Sequence, residues 1–165
     1  MAEDNKIPEQ VTTGTDTFPD RQVKVNAQYI KDLSFENPNA PKSLMRSKEQ
    51  PKIDINLDLR RSHLQDNTHA LDMHIHAKAY TDEQTLFVLE LVYGGLFTLE
   101  NIPEAEIEPA MLIFCPTLLF PFARRVVSDV TRDGGFPPLT LEPIDFGKLY
   151  LQRQQQAGGG ESAKH

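Results

Sequence analysis

The run AMLIFCPTLLFPFARRVVSDV, residues 110–130, limits what this chain can fold into more than any other stretch. From Ala110 to Phe122 only Thr117 is neither apolar nor proline. A helix built there is hydrophobic around most of its circumference and has to be covered on several sides. A membrane span needs about 20 apolar residues. This run is interrupted by Pro116 and Pro121 and closed by Arg124 and Arg125, so it reads as a core or interface helix. Each proline lacks an N–H and crowds a carbonyl one turn back, at Leu112 and Thr117, so kinks or breaks are expected there. Glu104 and Glu106 supply an acidic first turn that suits the helix dipole, and Arg132-Asp133-Gly134-Gly135 is a stop signal.

Ahead of this helix the hydrophobic period is two. Val23, Val25, Ala27, Tyr29, Leu33 and Phe35 alternate with polar residues, a half-buried strand that Asn37-Pro38-Asn39-Ala40-Pro41 ends. Ile53, Ile55, Leu57 and Leu59 alternate with Asp54, Asn56, Asp58 and Arg60, the cleanest strand in the chain. Leu71, Met73, Ile75, Ala77 and Ala79 repeat the pattern against Asp72, His74, His76 and Lys78. The fourth segment, residues 85–99, is apolar on both faces except at Glu90, which makes it central or covered by a second subunit, and Gly94-Gly95 should bend or bulge it. Asp145 can cap a last helix carrying Phe146, Leu149 and Tyr150 on one face. The expected fold is α+β: a four-stranded antiparallel sheet, a long kinked helix and a C-terminal helix. One sheet offers one buried face, yet the 110–130 helix and the fourth strand both need more cover, so association is expected.

The ordered domain should span residues 23–156, between a polar leader over 1–22 and a glycine-rich tail over 157–165. The net charge of −7 argues against a general phosphate-backbone binder and favours a basic partner, or simply keeps the chain soluble. A single cysteine, Cys115, leaves no internal disulfide, and the leader lacks the pattern of a secretory signal, so the cytoplasm is the default location.

Candidate chemistry is sparse. Cys115 between Phe114 and Pro116 lacks an activating base, so a small buried apolar residue is its ordinary role. His74-x-His76 has ligand-like spacing on one strand face, but a metal needs further ligands and Asp72 is the only obvious local one. No phosphate loop or nucleophile elbow is recognisable. Phe122, Phe146, Leu149 and Tyr150 taken singly read as core, whereas Leu44 and Met45 sit in a proline-bounded loop where apolar side chains are less expected. A groove between that loop, the Ile53–Leu57 strand face and the last helix would hold extended apolar segments without fixed polar readers.

The blocks YIKDLSFENPNAP (29–41), GGLF (94–97), CPTLLFPFARRVVSDVTRDGGFPPL (115–139) and EPIDFGKLYLQRQQQ (142–156) closely resemble SecB, the family of bacterial protein-export chaperones, in order and spacing over roughly residues 23–156. The resemblance implies a dimer of dimers with the long helices packed between sheets. It implies an ATP-independent holdase with no cofactor, whose partners are unfolded precursor proteins, with no nucleic-acid or membrane-inserted partner. The peptide-binding candidates are Leu44, Met45, Ile53, Ile55, Leu57, Phe122, Phe146, Leu149 and Tyr150. Asp32, Glu36, Val88 and Glu90 match the positions through which the family contacts the motor ATPase SecA. The crossover loop holds Leu44, Met45, Lys48 and Glu49 where the family often has aromatics, and the tail has only Glu161 as an acid. A relative dedicated to one client such as an antitoxin is the nearest alternative, and a small metal- or thiol-dependent enzyme is the distant one.

Overall fold

A computed structural model describes residues 20–158, so most of the leader and most of the tail lie outside the described residues. The strands are β1 (Gln22–Glu36), β2 (Lys52–Gln65), β3 (Thr68–Tyr80) and β4 (Thr85–Glu100). They form one antiparallel sheet in the order β1-β4-β3-β2. The doubly apolar fourth strand is central, between β1 and β3, as its composition requires.

Odd-numbered residues of β3 and β4 point to the inner face. Leu71, Met73, Ile75, Leu89, Leu91 and Phe97 are at most 1% exposed there. In β1 the simple alternation fails. Register shifts between Val25 and Ala27 and between Ile30 and Asp32 mark two bulges. Each inserts one residue and turns the following side chains to the other face. Tyr29 therefore lies opposite Gly94 on the outer face, while Gln28 and Ile30 oppose Gly95 and Tyr93 on the inner one. Gln28 accepts a hydrogen bond there from the Tyr93 hydroxyl at 3.2 Å.

The helical run is continuous. Helix α1 (Glu104–Pro109) passes through a π-helical turn (Ala110–Phe114) into α2 (Cys115–Asp133). Kinks or breaks are expected at Pro116 and Pro121, but neither proline produces a break. In the π turn the Cys115 N–H reaches the Ala110 carbonyl, five residues back. The widened turn gives the slack that admits Pro116, whose missing N–H would otherwise leave a gap in the ladder. The helix also runs on through Pro121. It is thus 30 residues long and apolar enough by length and composition to cross a membrane. Its packing on the sheet, not its length, makes it a core helix.

Met111, Cys115, Leu119, Ala123 and Val127 form one stripe of 0% exposure against the inner face of the sheet. Gly95 makes the approach close, since a Cβ there would stand 2.6 Å from the Phe97 ring and 2.9 Å from Leu119. The helix ends in paired reverse hydrogen bonds, Phe136 N–H to the Thr131 carbonyl and Gly135 N–H to that of Arg132. Gly135 takes the left-handed φ of 92° that this cap requires. Buried Thr131 donates to the Val127 carbonyl and accepts from the Leu139 N–H at 2.9 Å, turning the chain back across the domain. Helix α3 (Phe146–Gly158) follows, with the Asp145 carboxylate accepting from the Lys148 N–H at 3.0 Å.

Leu119→Ala should cost about 2–5 kcal/mol, because the helix cannot collapse into the cavity left at the sheet. Thr131→Val keeps the volume but strands the Leu139 N–H and should cost about 1–3 kcal/mol. Urea midpoints of the two variants check both values. An unchanged midpoint for Leu119→Ala would mean that the helix does not pack as described.

Candidate functional site

The outer face carries most of the charged residues of the sheet, and the inner face is covered at its centre and open toward both edge strands. On the outer face the bulges in β1 fall so that Asp32, Ser34 and Glu36 stand opposite Val92, Glu90 and Val88. Asp32, Glu36, Val88 and Glu90 thus share one face of two adjacent strands. Among the described residues neither Asp32 nor Glu36 forms an ion pair. A shallow cavity of about 430 Å³ extends from Asp32 and Glu90 across His74 and His76 to Asn56 and Asp58. The Asp58 carboxylate is held by Arg60 at 3.2 Å and by Arg153 of α3 at 3.3 Å. His76 Nε2 lies 3.9 Å from Glu90. Lys31, the residue inserted by the second bulge, reaches over Gly94 to Asp72 at 2.6 Å, and the hydrogen bond it donates to this carboxylate raises its pKa.

His74 and His76 do point the same way, but no three His, Cys, Asp or Glu side chains among the described residues are placed to hold a metal ion. Cys115 is fully buried, its Sγ 3.8 Å from the Met111 sulfur. Burial pushes its pKa up to about 12, so at neutral pH it is a thiol and not a nucleophile. The thiol chemistry weighed for it has no geometric support.

The apolar candidates divide. Helix α2 packs on β4, β1 and β3, and the π turn lies on β2, so the inner face of β2 near its start stays open. Ile53 and Ile55 are each 44% exposed there, and in the preceding loop Leu44 is 48% and Met45 71% exposed. The loop is not free: Asn39 donates to the Thr85 carbonyl at 2.9 Å, Ser43 donates to Asn37 at 2.5 Å, and Leu44 leans on Gly135. Arg153 ties α3 to Asp58, so the two isoleucines lie between the loop that feeds β2 and the point where α3 is fixed to it. Leu57 and Leu149 are half-buried against the core, and the hydroxyl of half-buried Tyr150 accepts from Gln154 at 2.7 Å.

Two candidates fall elsewhere. Phe146 is only 2% exposed and meets the Phe120 ring edge-on with centroids 5.8 Å apart. It belongs to the core cluster rather than to the exposed surface. Phe122 is 48% exposed but shares its surroundings with Ile30, Tyr93 and Arg125, on the β1 side of the helix. Two positions along a helix rotate it away from Phe120. Val25, Ile30 and Leu33 on the β1 edge and Phe114 on the helix are also more than a third exposed, a surface hidden from sequence reasoning by the bulges.

The protein-family comparison matches residues 16–157 to the model described as preprotein translocase subunit SecB. Among curated proteins, the protein-export protein SecB of Bradyrhizobium sp. is 47% identical over 146 residues, 88% of this chain and 90% of its own. That of Rhizorhabdus wittichii is 46% identical over 156 residues, 94% of this chain and 92% of its own. That of Maricaulis maris is 48% identical over 145 residues, covering 86% and 84%. Among solved structures, a Mycobacterium tuberculosis SecB-like chaperone in complex with an antitoxin peptide has a TM-score of 0.61 at 18% identity, covering 74% of this chain and 90% of its own, a likeness of fold. With the family model matched across the whole sheet and helix layer and relatives this similar over most of their length, the chain belongs to the SecB family.

Proposed function

We propose that this chain is an export chaperone that binds unfolded precursor proteins without ATP hydrolysis, keeps them translocation-competent in the cytoplasm and hands them to the SecA motor. The observation that carries this reading is the open apolar surface of Leu44, Met45, Ile53 and Ile55 beside an unpaired strand edge. An extended client can lay apolar side chains on the isoleucines and pair its backbone with the β2 edge. Each contact is weak, so only chains exposing many such segments are held, and a folded protein offers none. Met45, flexible and 71% exposed, adapts to different side chains.

Docking falls to the opposite face. Asp32, Glu36 and Glu90 form an anionic surface with Val88 as its apolar element, suited to steering and orienting a basic partner. The two surfaces lie on opposite sides of the sheet, so a held client leaves the docking face clear. The apolar residues exposed along the β1 edge and at Phe114 and Phe122 support assembly into a homotetramer of paired dimers.

Light scattering of a slowly folding precursor diluted from denaturant tests the holdase reading. Aggregation should be suppressed without ATP, and the same precursor already folded should not be bound; failure to suppress would overturn the reading. Ile53→Ser combined with Ile55→Ser removes about 1–2 kcal/mol of client contact and should weaken capture roughly tenfold. Asp32→Lys with Glu90→Lys should leave capture intact and weaken SecA binding at low salt by at least about tenfold. Equal loss of both activities in that variant would contradict the division of labour between the faces.

A further inference from the structure

At the end of the sheet away from the open isoleucines, His63 on β2 and His69 on β3 stack with ring centroids 4.8 Å apart and planes inclined by 35°. His69 is 6% exposed. The pair faces a cavity of about 250 Å³ closed by Leu99 of β4 and by Ile102, Glu104 and Ile107 at the start of the long helix. His63 Nε2 is 2.8 Å from the Asp66 carbonyl, which can only accept, so this nitrogen carries a proton. Asp66 sits at φ 46° in the tight β2–β3 turn, and the Leu99 N–H bonds the Asn67 carbonyl at 2.9 Å, so the turn is tied to β4 beside the cavity that the start of α1 closes.

We propose that the His63–His69 pair is a proton-sensitive latch: uncharged, it holds the end of the β2–β3 hairpin packed at the cavity beside the start of the long helix, and mild acidification loosens it. The charged groups around the pair are Arg61 on β2, Asp66 in the turn, and Glu104 and Glu108 on α1, with Arg61 4.0 Å from Glu108. Two stacked imidazoles beside an arginine cannot both take a proton without repulsion, and the more buried one has little water to solvate its charge. Burial, then His63 and Arg61, depress the His69 pKa, and Glu104 opposes them only in part. The sign follows from linkage. The unfolded chain protonates His69 at about pH 6.5 whereas the folded chain resists, so the contribution is whole above that pH and is lost as pH falls through it.

This inference does not depend on the chaperone reading. Thermal midpoints of the full chain and of His69→Phe, which keeps the stacked ring, are compared at about pH 7.5 and about pH 5.5, either side of the ordinary imidazole value. The wild type should lose about 2–4 °C more on acidification than the variant; an equal loss in both overturns the latch. Should His69→Phe fail to fold, the imidazole proton resonances of the wild type and of His63→Gln decide. His69 should titrate below the ordinary histidine range and move upward in His63→Gln; titration within the ordinary range in the wild type overturns the proposal.

Discussion

The contact on which everything else depends is the close seating of the long helix on the inner face of the sheet at Gly95. A side chain at that position would collide with Phe97 and Leu119. Without it, the helix drops to within reach of β4, and the stripe from Met111 to Val127 is sealed completely. The same seating steers the helix from the β2–β3 turn toward the end of β1, where Phe35, Phe87 and Phe136 cluster with centroids 5.1–6.3 Å apart. A helix laid on this diagonal cannot cover the whole sheet. It leaves bare the start of β2 and part of the β1 edge, so the apolar surface proposed for clients is a by-product of how the core is packed.

The sheet then separates two kinds of chemistry by the alternation of its strands. Inner positions carry aliphatic residues that work by area removed from water, a force without direction and tolerant of sequence. Outer positions carry Asp32, Glu36 and Glu90 around Val88, the surface proposed for docking, where charge would act over longer range and favour one partner over another. The acidic positions stand on β1 and β4 and the open isoleucines on β2, on opposite sides of one sheet, so the two surfaces do not interfere.

Much of this was legible in the sequence where one physical rule acts alone. Strands β2 and β3 follow strict alternation, and the doubly apolar β4 announced its central place. The Asp145 cap and the double-glycine stop have local chemistry that tertiary packing does not override. The failures have identifiable causes. A bulge adds a residue without a composition signal, so simple alternation runs unbroken past Asn26 and Lys31 and puts Tyr29 on the wrong face. Pro116 reads as a helix breaker unless the preceding turn widens, and nothing in residues 110–114 marks a π turn. Phe146 and Phe122 read alike in the sequence, as core residues that the resemblance also makes binding candidates, because helical position alone does not say which neighbour covers each face. Phe120 buries the first, and the second is left on the β1 side.

Hydrogen exchange of the full chain, with and without an unfolded precursor, tests the central claim most directly. The account predicts slowed exchange at the unpaired edge of β2, from Lys52 to Leu57, and in the loop carrying Leu44 and Met45, with the amides of β4 unchanged. Protection confined to other elements, or equal protection by the folded form of the same precursor, would contradict it.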